Sequence, residues 1–382
     1  MRARVIKPVG CGEDWVVPHI PGRARRRSSH DVEQQQPIPA IDLRTQMVRS
    51  PNQTRAVTVQ RLNSDAPIVE AGSVPGYGPI FNAGAIHHDG RFHLFARGVR
   101  EGHTRNEGSG PRFLDYVSDV LVFTSVNGLD YDFQQVLARG SATGTNSYED
   151  PRVQAIRSGG ADHVVMTYTS LPDPKSGRPW QVGSHRLAYA DGRFALNRTS
   201  GRVIGPDGCC DKDAVVFNLR DGRIGLIHRI HPNMQLALFD SLDELYAAGA
   251  DYWDDHMREL DRHTIIGPAP GALGVGAGAP PVQTEAGLLL FYHERNAESQ
   301  YTIKVALLND ATGRVASLLT EPILQPELPW ERFGDVDNVV FVQGAVPRPD
   351  GTIYLTYGAA DRCVGAASLV TTEVVDALRT AA

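Results

Sequence analysis

Short apolar runs separated by polar turns repeat along the chain from about Val57, and the turns mark this pattern most clearly. In five places a glycine-containing turn leads into a strand-like apolar run: Asp89-Gly90, Gly159-Gly160, Asp221-Gly222, Glu285-Ala286-Gly287 and Asp350-Gly351. Asp-Gly between apolar runs is a strong hairpin signal, because the tight turn needs a positive φ. The pattern therefore predicts five β-hairpins.

A polar or tight cluster precedes each hairpin, and the five clusters recur about every 60–65 residues, as in a repeat architecture. They occupy residues 82–86, 147–153, 211–217, 276–282 and 335–341. Helical patterns are few, near residues 240–250 and 371–380. We therefore predict an all-β fold, a five-bladed β-propeller of four-stranded blades with a central active-site pocket.

The domain organisation follows from where this pattern begins. Residues 1–55 lack apolar periodicity and contain a basic cluster, Arg23 to Arg27, which is typical of a flexible polar arm. The cluster is either a solvated tail or a contact with an anionic partner or a neighbouring subunit of a homo-oligomer. Residues 56–382 are predicted to form the catalytic propeller with a short C-terminal helix.

The register of the hairpins predicts which side chains meet. Arg97 and Arg229 each follow their turn glycine by seven residues, and His293 follows Gly287 by six. Equivalent strand positions in neighbouring blades lie at similar heights around the axis, so these three side chains are expected in one mouth. A β-bulge in any blade would break this relation.

Composition narrows the function. The 382-residue chain carries a net charge of −6, unlike a nucleic-acid binder, and it has neither a membrane-spanning apolar run nor a secretory signal pattern. His87-His88 and Cys209-Cys210 lack metal-site spacing, so no metal is expected. We predict a cytoplasmic protein with no nucleic-acid partner and no membrane association.

The polar clusters carry many charges for a strand-rich chain. Asp150 has Glu149 and Arg152 beside it, and Lys212-Asp213 occupies the matching place in the next unit. Buried charges must be paired, so a structural ion-pair network is one interpretation. Their recurrence at the same end of each unit favours a functional pocket instead.

Seven motifs, in order over about residues 68–367, resemble the motif series of glycoside hydrolase family 130. They are Asn82-Ala83-Gly84-Ala85-Ile86, Glu149-Asp150-Pro151-Arg152, Lys212-Asp213-Ala214, His228-Arg229, Gly276-Ala277-Gly278-Ala279-Pro280-Pro281, Tyr292-His293 and Tyr357-Gly358-Ala359-Ala360-Asp361. Members are mostly inverting β-mannoside phosphorylases with five-bladed propellers. The resemblance thus implies a glycosyltransferase-type enzyme that phosphorolyses β-mannobiose or β-mannooligosaccharides to α-mannose 1-phosphate. Its expected small-molecule partners are the β-mannoside and inorganic phosphate as co-substrate, and no cofactor is expected.

The resemblance also implies roles for individual residues. Asp150 matches the general acid, which passes its proton through a hydroxyl of the bound mannose. The positions matching the family's phosphate site are Lys212, Arg229, His293 and Tyr301, and those matching its mannose site are Asn82, Arg97 and Asp361. Glu149, Arg152 and Asp213 are expected to bind substrate or to position the acid. Glu294 stands where many members have glycine, which points to a difference on the acceptor side.

Two other functions stay open from the sequence. An inverting β-mannosidase on the same fold would need a second carboxylate as base, for which Glu149, Asp213 and Asp337 are candidates. A sugar-binding propeller without catalysis is the other, because fold does not determine function. The β-1,2 or β-1,4 linkage and the acceptor sugar cannot be read from these motifs.

Overall fold

Five antiparallel sheets make up most of the fold, and all but one are built from strands in chain order. The computed structural model describes residues 57–106, 113–141, 145–197 and 199–381. The sheets are the blades of a five-bladed β-propeller, so the predicted all-β fold is confirmed. The predicted arm, residues 1–55, lies outside the described residues.

The first blade follows strand β1 (Val59–Arg61), which joins a different sheet. The next strands along the chain are β2 (Tyr77–His88), β3 (Arg91–Arg100), β4 (Thr104–Arg105), β5 (Phe113–Leu114), β6 (Ser118–Ser125) and β7 (Asp132–Ala138). The blade has the strand order β2-β3-β6-β7, and β4 pairs with β5 in a separate two-stranded ribbon.

The second and third blades repeat this arrangement. Their strands are β8 (Ser147–Ser158), β9 (Ala161–Leu171), β10 (Gln181–Ala190), β11 (Arg193–Leu196), β12 (Arg202–Val203), β13 (Lys212–Asn218), β14 (Ile224–Ile230), β15 (Asn233–Phe239) and β16 (Thr264–Ile266). The order is β8-β9-β10-β11 in the second blade, with β12 beside β10, and β13-β14-β15-β16 in the third.

The fourth blade divides its inner strand in two, and the fifth is completed by the start of the chain. The remaining strands are β17 (Gly274–Ala277), β18 (Val282–Thr284), β19 (Gly287–Arg295), β20 (Tyr301–Leu308), β21 (Val315–Leu318), β22 (Val340–Pro347), β23 (Thr352–Ala359) and β24 (Cys363–Val370). Both β17 and β18 pair with β19. Strand β1 pairs with β24, so the propeller ring is closed by joining its two ends.

The predicted turns join the expected strands because their residues adopt positive φ. Asp89 and Gly90, between β2 and β3, have φ of 50° and 72°. Gly159 and Gly160, between β8 and β9, have φ of 59° and 77°. The other three predicted turns connect β13 to β14, β18 to β19 and β22 to β23. The five hairpins are therefore confirmed.

Helices are short and lie between or after the blades. They are α1 (Leu242–Ala247), α2 (Ala250–Arg258), α3 (Leu260–His263), α4 (Pro329–Arg332) and α5 (Thr371–Thr380), with a 3-10 turn at Pro174–Ser176. Helix α1 begins where the sequence predicted, because the Ser241 hydroxyl accepts a hydrogen bond from the Glu244 N–H at 3.1 Å. The predicted C-terminal helix is α5.

The hydrophobic core lies between neighbouring blades. Val120 of the first blade and Val153 of the second belong to one buried cluster, and Phe291 of the fourth and Leu355 of the fifth belong to another. Because these apolar layers separate the blades, the inner strands are held at fixed positions around the central pocket.

A buried carboxylate ties the closing strand to the fifth blade. Glu331 is fully buried and accepts hydrogen bonds from Arg61 Nε at 2.8 Å, from the Tyr357 hydroxyl at 2.9 Å and from the backbone N–H groups of Glu327 and Leu328. Burial alone would raise the pKa of Glu331, but the donors outweigh it and lower that pKa below its ordinary value.

We expect Glu331→Gln to lower the free energy of unfolding by about 3 kcal/mol, because it removes the fully buried carboxylate that accepts from the Arg61 guanidinium and the Tyr357 hydroxyl. Since the folded-state pKa is depressed, this contribution is present above the unfolded pKa of about 4.3 and is lost as the pH falls through the folded value. Urea unfolding at several pH values measures the effect. Glu327→Gln is the control, because that side chain also pairs with Arg61 but is 56% exposed; equal losses in both variants would contradict the prediction.

Candidate active site

Residues from all five blades line a central cavity of about 430 Å³. Ten of the side chains predicted from sequence line it: Asn82, Arg97, Glu149, Asp150, Lys212, Asp213, Arg229, His293, Tyr301 and Asp361. Arg97, Arg229 and His293 therefore lie in one mouth, as the register of the hairpins predicted.

Three inner strands carry a β-bulge at the same place, and each bulge contains one of these side chains. The register shifts lie at Asn82 in β2, at Asp150 in β8 and at Asp213 in β13. The three residues have φ of 47°, 51° and 53°. Asn and Asp tolerate this left-handed conformation better than most other residues, which accounts for their use here. The bulges interrupt the normal alternation of a strand and allow neighbouring side chains to face the cavity together.

The acid predicted from sequence lies in a buried cluster of polar groups. Asp150 Oδ1 accepts a hydrogen bond from Asn82 Nδ2 at 2.8 Å and lies 3.4 Å from Arg97 Nη1. Arg97 Nη2 also pairs with Glu149 Oε1. The Arg97 guanidinium lies over the rings of Phe81 and Tyr116, 4.9 and 5.2 Å from their centroids. Burial lowers the pKa of Arg97, but Glu149 and the other carboxylates raise it overall, so this guanidinium stays charged.

Asp213 is surrounded by nitrogen donors on three sides. Its oxygens lie 3.1 Å from Arg152 Nη2, 2.9 Å from Arg229 Nε and 3.4 Å from His293 Nε2. Burial opposes its charge, but Arg229, His293 and Arg152 together hold the pKa of Asp213 well below its ordinary value. Asp213 is therefore ionised and anchors two of the predicted phosphate-site residues.

Arg152 is the exception among the predicted site residues, because it lies beneath the cavity wall. Its side chain has no exposed surface. The guanidinium donates to the carbonyl oxygens of Gly278 and Ala277 at 2.7 Å each, to the Asp150 carbonyl at 3.0 Å and to Asp213. Arg152 can therefore position Asp150 and Asp213. Its buried guanidinium does not reach the cavity, so the direct sugar contact considered from the sequence does not agree with this geometry.

Three of the predicted phosphate-site residues, His293, Lys212 and Tyr301, pack against aromatic or cationic neighbours. The His293 ring stacks on Phe341 with centroids 4.0 Å apart. Burial lowers the pKa of His293 against the opposing effect of Asp213, so the ring is neutral near neutral pH and can donate a hydrogen bond from one nitrogen. Lys212 Nζ lies 5.7 Å from the centre of the Trp180 ring, and Tyr301 lies beneath the Arg295 guanidinium at 5.8 Å.

Gly276 allows the backbone of β17 to pack closely against Asp213 and His293. A Cβ atom at this position would lie 2.3 Å from Asp213 Oδ2 and 2.5 Å from His293 Nε2. Only glycine lets β17 approach the pair so closely, which gives a reason for the glycine-rich stretch that the sequence singled out.

Some cavity residues were not singled out from the sequence. Tyr116, His231, Asn338 and Phe341 also line the cavity. Asn338 and Phe341 lie in the predicted cluster of residues 335–341 but were given no role there. Asn338 adopts φ of 59° just before β22, a conformation that its residue type tolerates. Tyr116 precedes β6 with no motif around it, so its place under Arg97 could not have been read locally.

Glu294 points away from the cavity, although it follows His293 directly. Its carboxylate pairs with Lys304 Nζ at 2.6 Å and accepts from the Ala269 N–H at 2.8 Å. The residue therefore holds the segment that leads to Leu273, which lies in the cavity wall. The difference on the acceptor side expected from the sequence would act through this segment.

The described residues contain neither a metal-type side-chain cluster nor a membrane-spanning helix. No group of three or more His, Cys, Asp or Glu side chains in that part of the chain is placed to hold a metal ion. None of the helices described is long and apolar enough to cross a membrane.

Comparison with known proteins places these features in a family. The glycoside hydrolase family 130 model, described as β-1,4-mannooligosaccharide phosphorylase, matches residues 49–380. A 1,2-β-oligomannan phosphorylase of Thermoanaerobacter sp. (strain X514) is 28% identical, covering 76% of this chain and 89% of the relative. A β-1,2-mannobiose phosphorylase of the same organism is 30% identical, covering 75% and 89%.

Solved structures agree on the fold. A β-1,2-mannobiose phosphorylase from Listeria innocua, solved with β-1,2-mannobiose, superimposes with a TM-score of 0.64 at 18% identity, covering 84% of this chain and 99% of that one. At such low identity the likeness concerns the fold. The family match over nearly the whole described chain, together with the sequence relatives, shows that this protein belongs to glycoside hydrolase family 130 and is an enzyme of the mannoside phosphorylase type.

Proposed function

We propose that this enzyme cleaves β-mannosides with inorganic phosphate and inverts the anomeric centre, giving α-mannose 1-phosphate and a free acceptor sugar. A phosphate oxygen forms a bond to C1 of the mannose while the bond from C1 to the glycosidic oxygen breaks. Asp150 supplies the proton for that leaving oxygen through a hydroxyl of the bound mannose. Phosphate is a co-substrate, and no cofactor enters the reaction.

One observation carries the proposal: the cavity that contains Asp150 is also lined by Lys212, Arg229 and His293. Phosphate is an anion near neutral pH and attacks without a protein base, but it must be held by cations and hydrogen-bond donors. An ammonium, a guanidinium and a neutral imidazole provide these. Tyr301 adds a hydroxyl in the same cavity.

The contacts of the three carboxylates considered as bases for hydrolysis also bear on the choice between hydrolysis and phosphorolysis. Asp213 is ion-paired within the wall, and a carboxylate with a strongly lowered pKa is a weak general base at neutral pH. Glu149 is paired with Arg97. Asp337 accepts a hydrogen bond from the Gly334 N–H at 3.2 Å and lines the cavity, so it is the remaining candidate.

The mannose unit is proposed to lie among Asn82, Arg97 and Asp361, which line the cavity near the acid. Relatives named for β-1,2-linked substrates match most of this chain, and a relative named β-1,4-mannooligosaccharide phosphorylase matches a third of it. β-1,2-Mannobiose is therefore the first substrate to test, and β-1,4-mannobiose the second.

The test compares breakdown of each mannobiose in phosphate buffer and in phosphate-free buffer. We expect mannose and mannose 1-phosphate in equal amounts with phosphate, little turnover without it, and an α-configured sugar phosphate by proton NMR. Synthesis from mannose 1-phosphate and a panel of acceptors then identifies the linkage. Equal mannose release in both buffers, with no sugar phosphate, would identify a mannosidase, and no turnover with any substrate would favour the sugar-binding alternative.

A further inference from the structure

Glu149 and Asp150 face the same cavity although they are neighbours in one strand. Successive side chains of a regular strand point to opposite faces. Here the bulge in β8 and the φ of 51° at Asp150 remove that alternation, and both side chains line the cavity. Both are buried, with 8% and 6% of their surface exposed. Each carboxyl group contacts the Arg97 guanidinium, so the two share one positive charge.

The charges around this pair come from several elements. Arg97 on β3 contacts both carboxyl groups. Lys212 and Asp213 on β13 act on Glu149 in opposite directions. Asp361, after β23, adds a further carboxylate near Arg97, and burial raises the pKa of Tyr116 so that this hydroxyl stays neutral.

Binding of phosphate changes this balance. Under the proposed function, a phosphate anion sits beside Lys212 and Arg229 and adds negative charge to a cavity that already holds two neighbouring carboxyl groups. Because the two carboxyl groups share the Arg97 guanidinium, added negative charge disfavours the state in which both are ionised.

We propose that Glu149 is a positioning residue for the catalytic proton, which it shares with Asp150 in the phosphate complex so that Asp150 is protonated when the sugar binds. This inference rests on the proposed function. Burial, with an added contribution from Asp150 and against Arg97, raises the pKa of Glu149, in agreement with a shared proton. The proton leaves with the acceptor alcohol, and the hydrogen phosphate that attacked C1 carries a proton in the sugar phosphate product that can return to the pair.

Glu149→Gln tests the proposal through the pH dependence of kcat/KM for mannobiose phosphorolysis. The variant keeps an amide oxygen for Arg97 but removes one negative charge, so Asp150 loses its proton at lower pH. We expect the basic limb of the kcat/KM profile to shift to lower pH by about one unit. Activity should then be about 10-fold lower at neutral pH and near the wild-type value at the acidic end. With a 4-nitrophenyl β-mannoside, whose leaving group needs little protonation, the neutral-pH deficit should narrow.

Two variants serve as controls. Glu149→Asp retains a carboxyl pair and should keep the limb near the wild-type position. Asp310→Asn removes a buried carboxylate that pairs with Arg220 and does not line the cavity, so it should leave the limb unmoved. If Glu149→Gln loses the same fraction of activity at every pH and with both leaving groups, Glu149 is a sugar contact or a structural residue and the inference is wrong.

A second measurement does not depend on folding of the Gln variant. Infrared spectra of the phosphate complex at neutral pH should show a protonated-carboxyl band in the wild type that Asp150→Asn lacks, because Glu149 then pairs with Arg97 alone. Absence of the band in an active wild-type enzyme overturns the shared proton. Absence of phosphorolysis in the wild type overturns the proposed function instead, so the two failures are distinct.

Discussion

Asp150→Asn is expected to lower kcat for phosphorolysis by about 10²–10⁴-fold while the protein stays folded. The substitution removes the proposed proton donor but keeps a side chain of the same size. Asparagine also tolerates the positive φ of 51° at this position, so the bulge in β8 should persist. Rates measured with saturating mannobiose and phosphate, in both reaction directions, give the size of the loss.

Asp89→Asn is the matched control for this experiment. Asp89 has nearly the same backbone conformation, with φ of 50°, but lies exposed in the turn between β2 and β3. It should leave turnover and the unfolding midpoint unchanged. Retained turnover in Asp150→Asn, with the control also active, would remove Asp150 from the mechanism and favour another acid in the cavity.

Arg152→Met is expected to destabilise the protein by about 3–5 kcal/mol, because it removes one charged partner of the buried Asp213 carboxylate together with the donor to buried carbonyl groups. Asp213 would lose one of its three nitrogen neighbours, and the carbonyls of Ala277 and Gly278 would lose their donor. The midpoint and slope of urea unfolding measure this change.

Arg157→Met, on the same strand, shows what an exposed ion pair contributes. Arg157 pairs with Asp162 at 3.0 Å, but both side chains are more than 60% exposed, so a loss below about 1 kcal/mol is expected. A small effect of Arg152→Met on stability, accompanied by a raised KM for mannoside, would return Arg152 to the sugar contact considered from the sequence.

The contrast between Arg152 and its neighbours shows where sequence reasoning reached its limit. The Glu-Asp-Pro-Arg stretch was identified correctly as a charged cluster before a strand, but nothing within it distinguishes an arginine facing the cavity from one facing the wall. The distinction depends on carbonyl groups of the fourth blade, more than a hundred residues away in the chain. Burial of a guanidinium is decided by whether those acceptors are present.

The β-bulges of the inner strands could be predicted from the sequence only in part. Asn82, Asp150 and Asp213 are residue types that tolerate positive φ, and they occupy matching places in three repeats. A pattern of this kind can be searched for in a sequence, since the conformational preference is local. That all three turn their side chains toward one cavity was visible only in the assembled ring.

The sequence by itself determined the five hairpins, the five-fold repeat, the starts of α1 and α5 and the meeting of Arg97, Arg229 and His293 in one cavity. These features depend on local backbone preferences and on strand alternation, which a short stretch of chain encodes. The tertiary structure alone decided that β1 closes the ring against β24, that Asp213 gathers Arg152, Arg229 and His293, and that Arg97 joins Glu149 to Asp150. Such pairings depend on distance and burial between residues from different blades, and both are set only when the blades pack together.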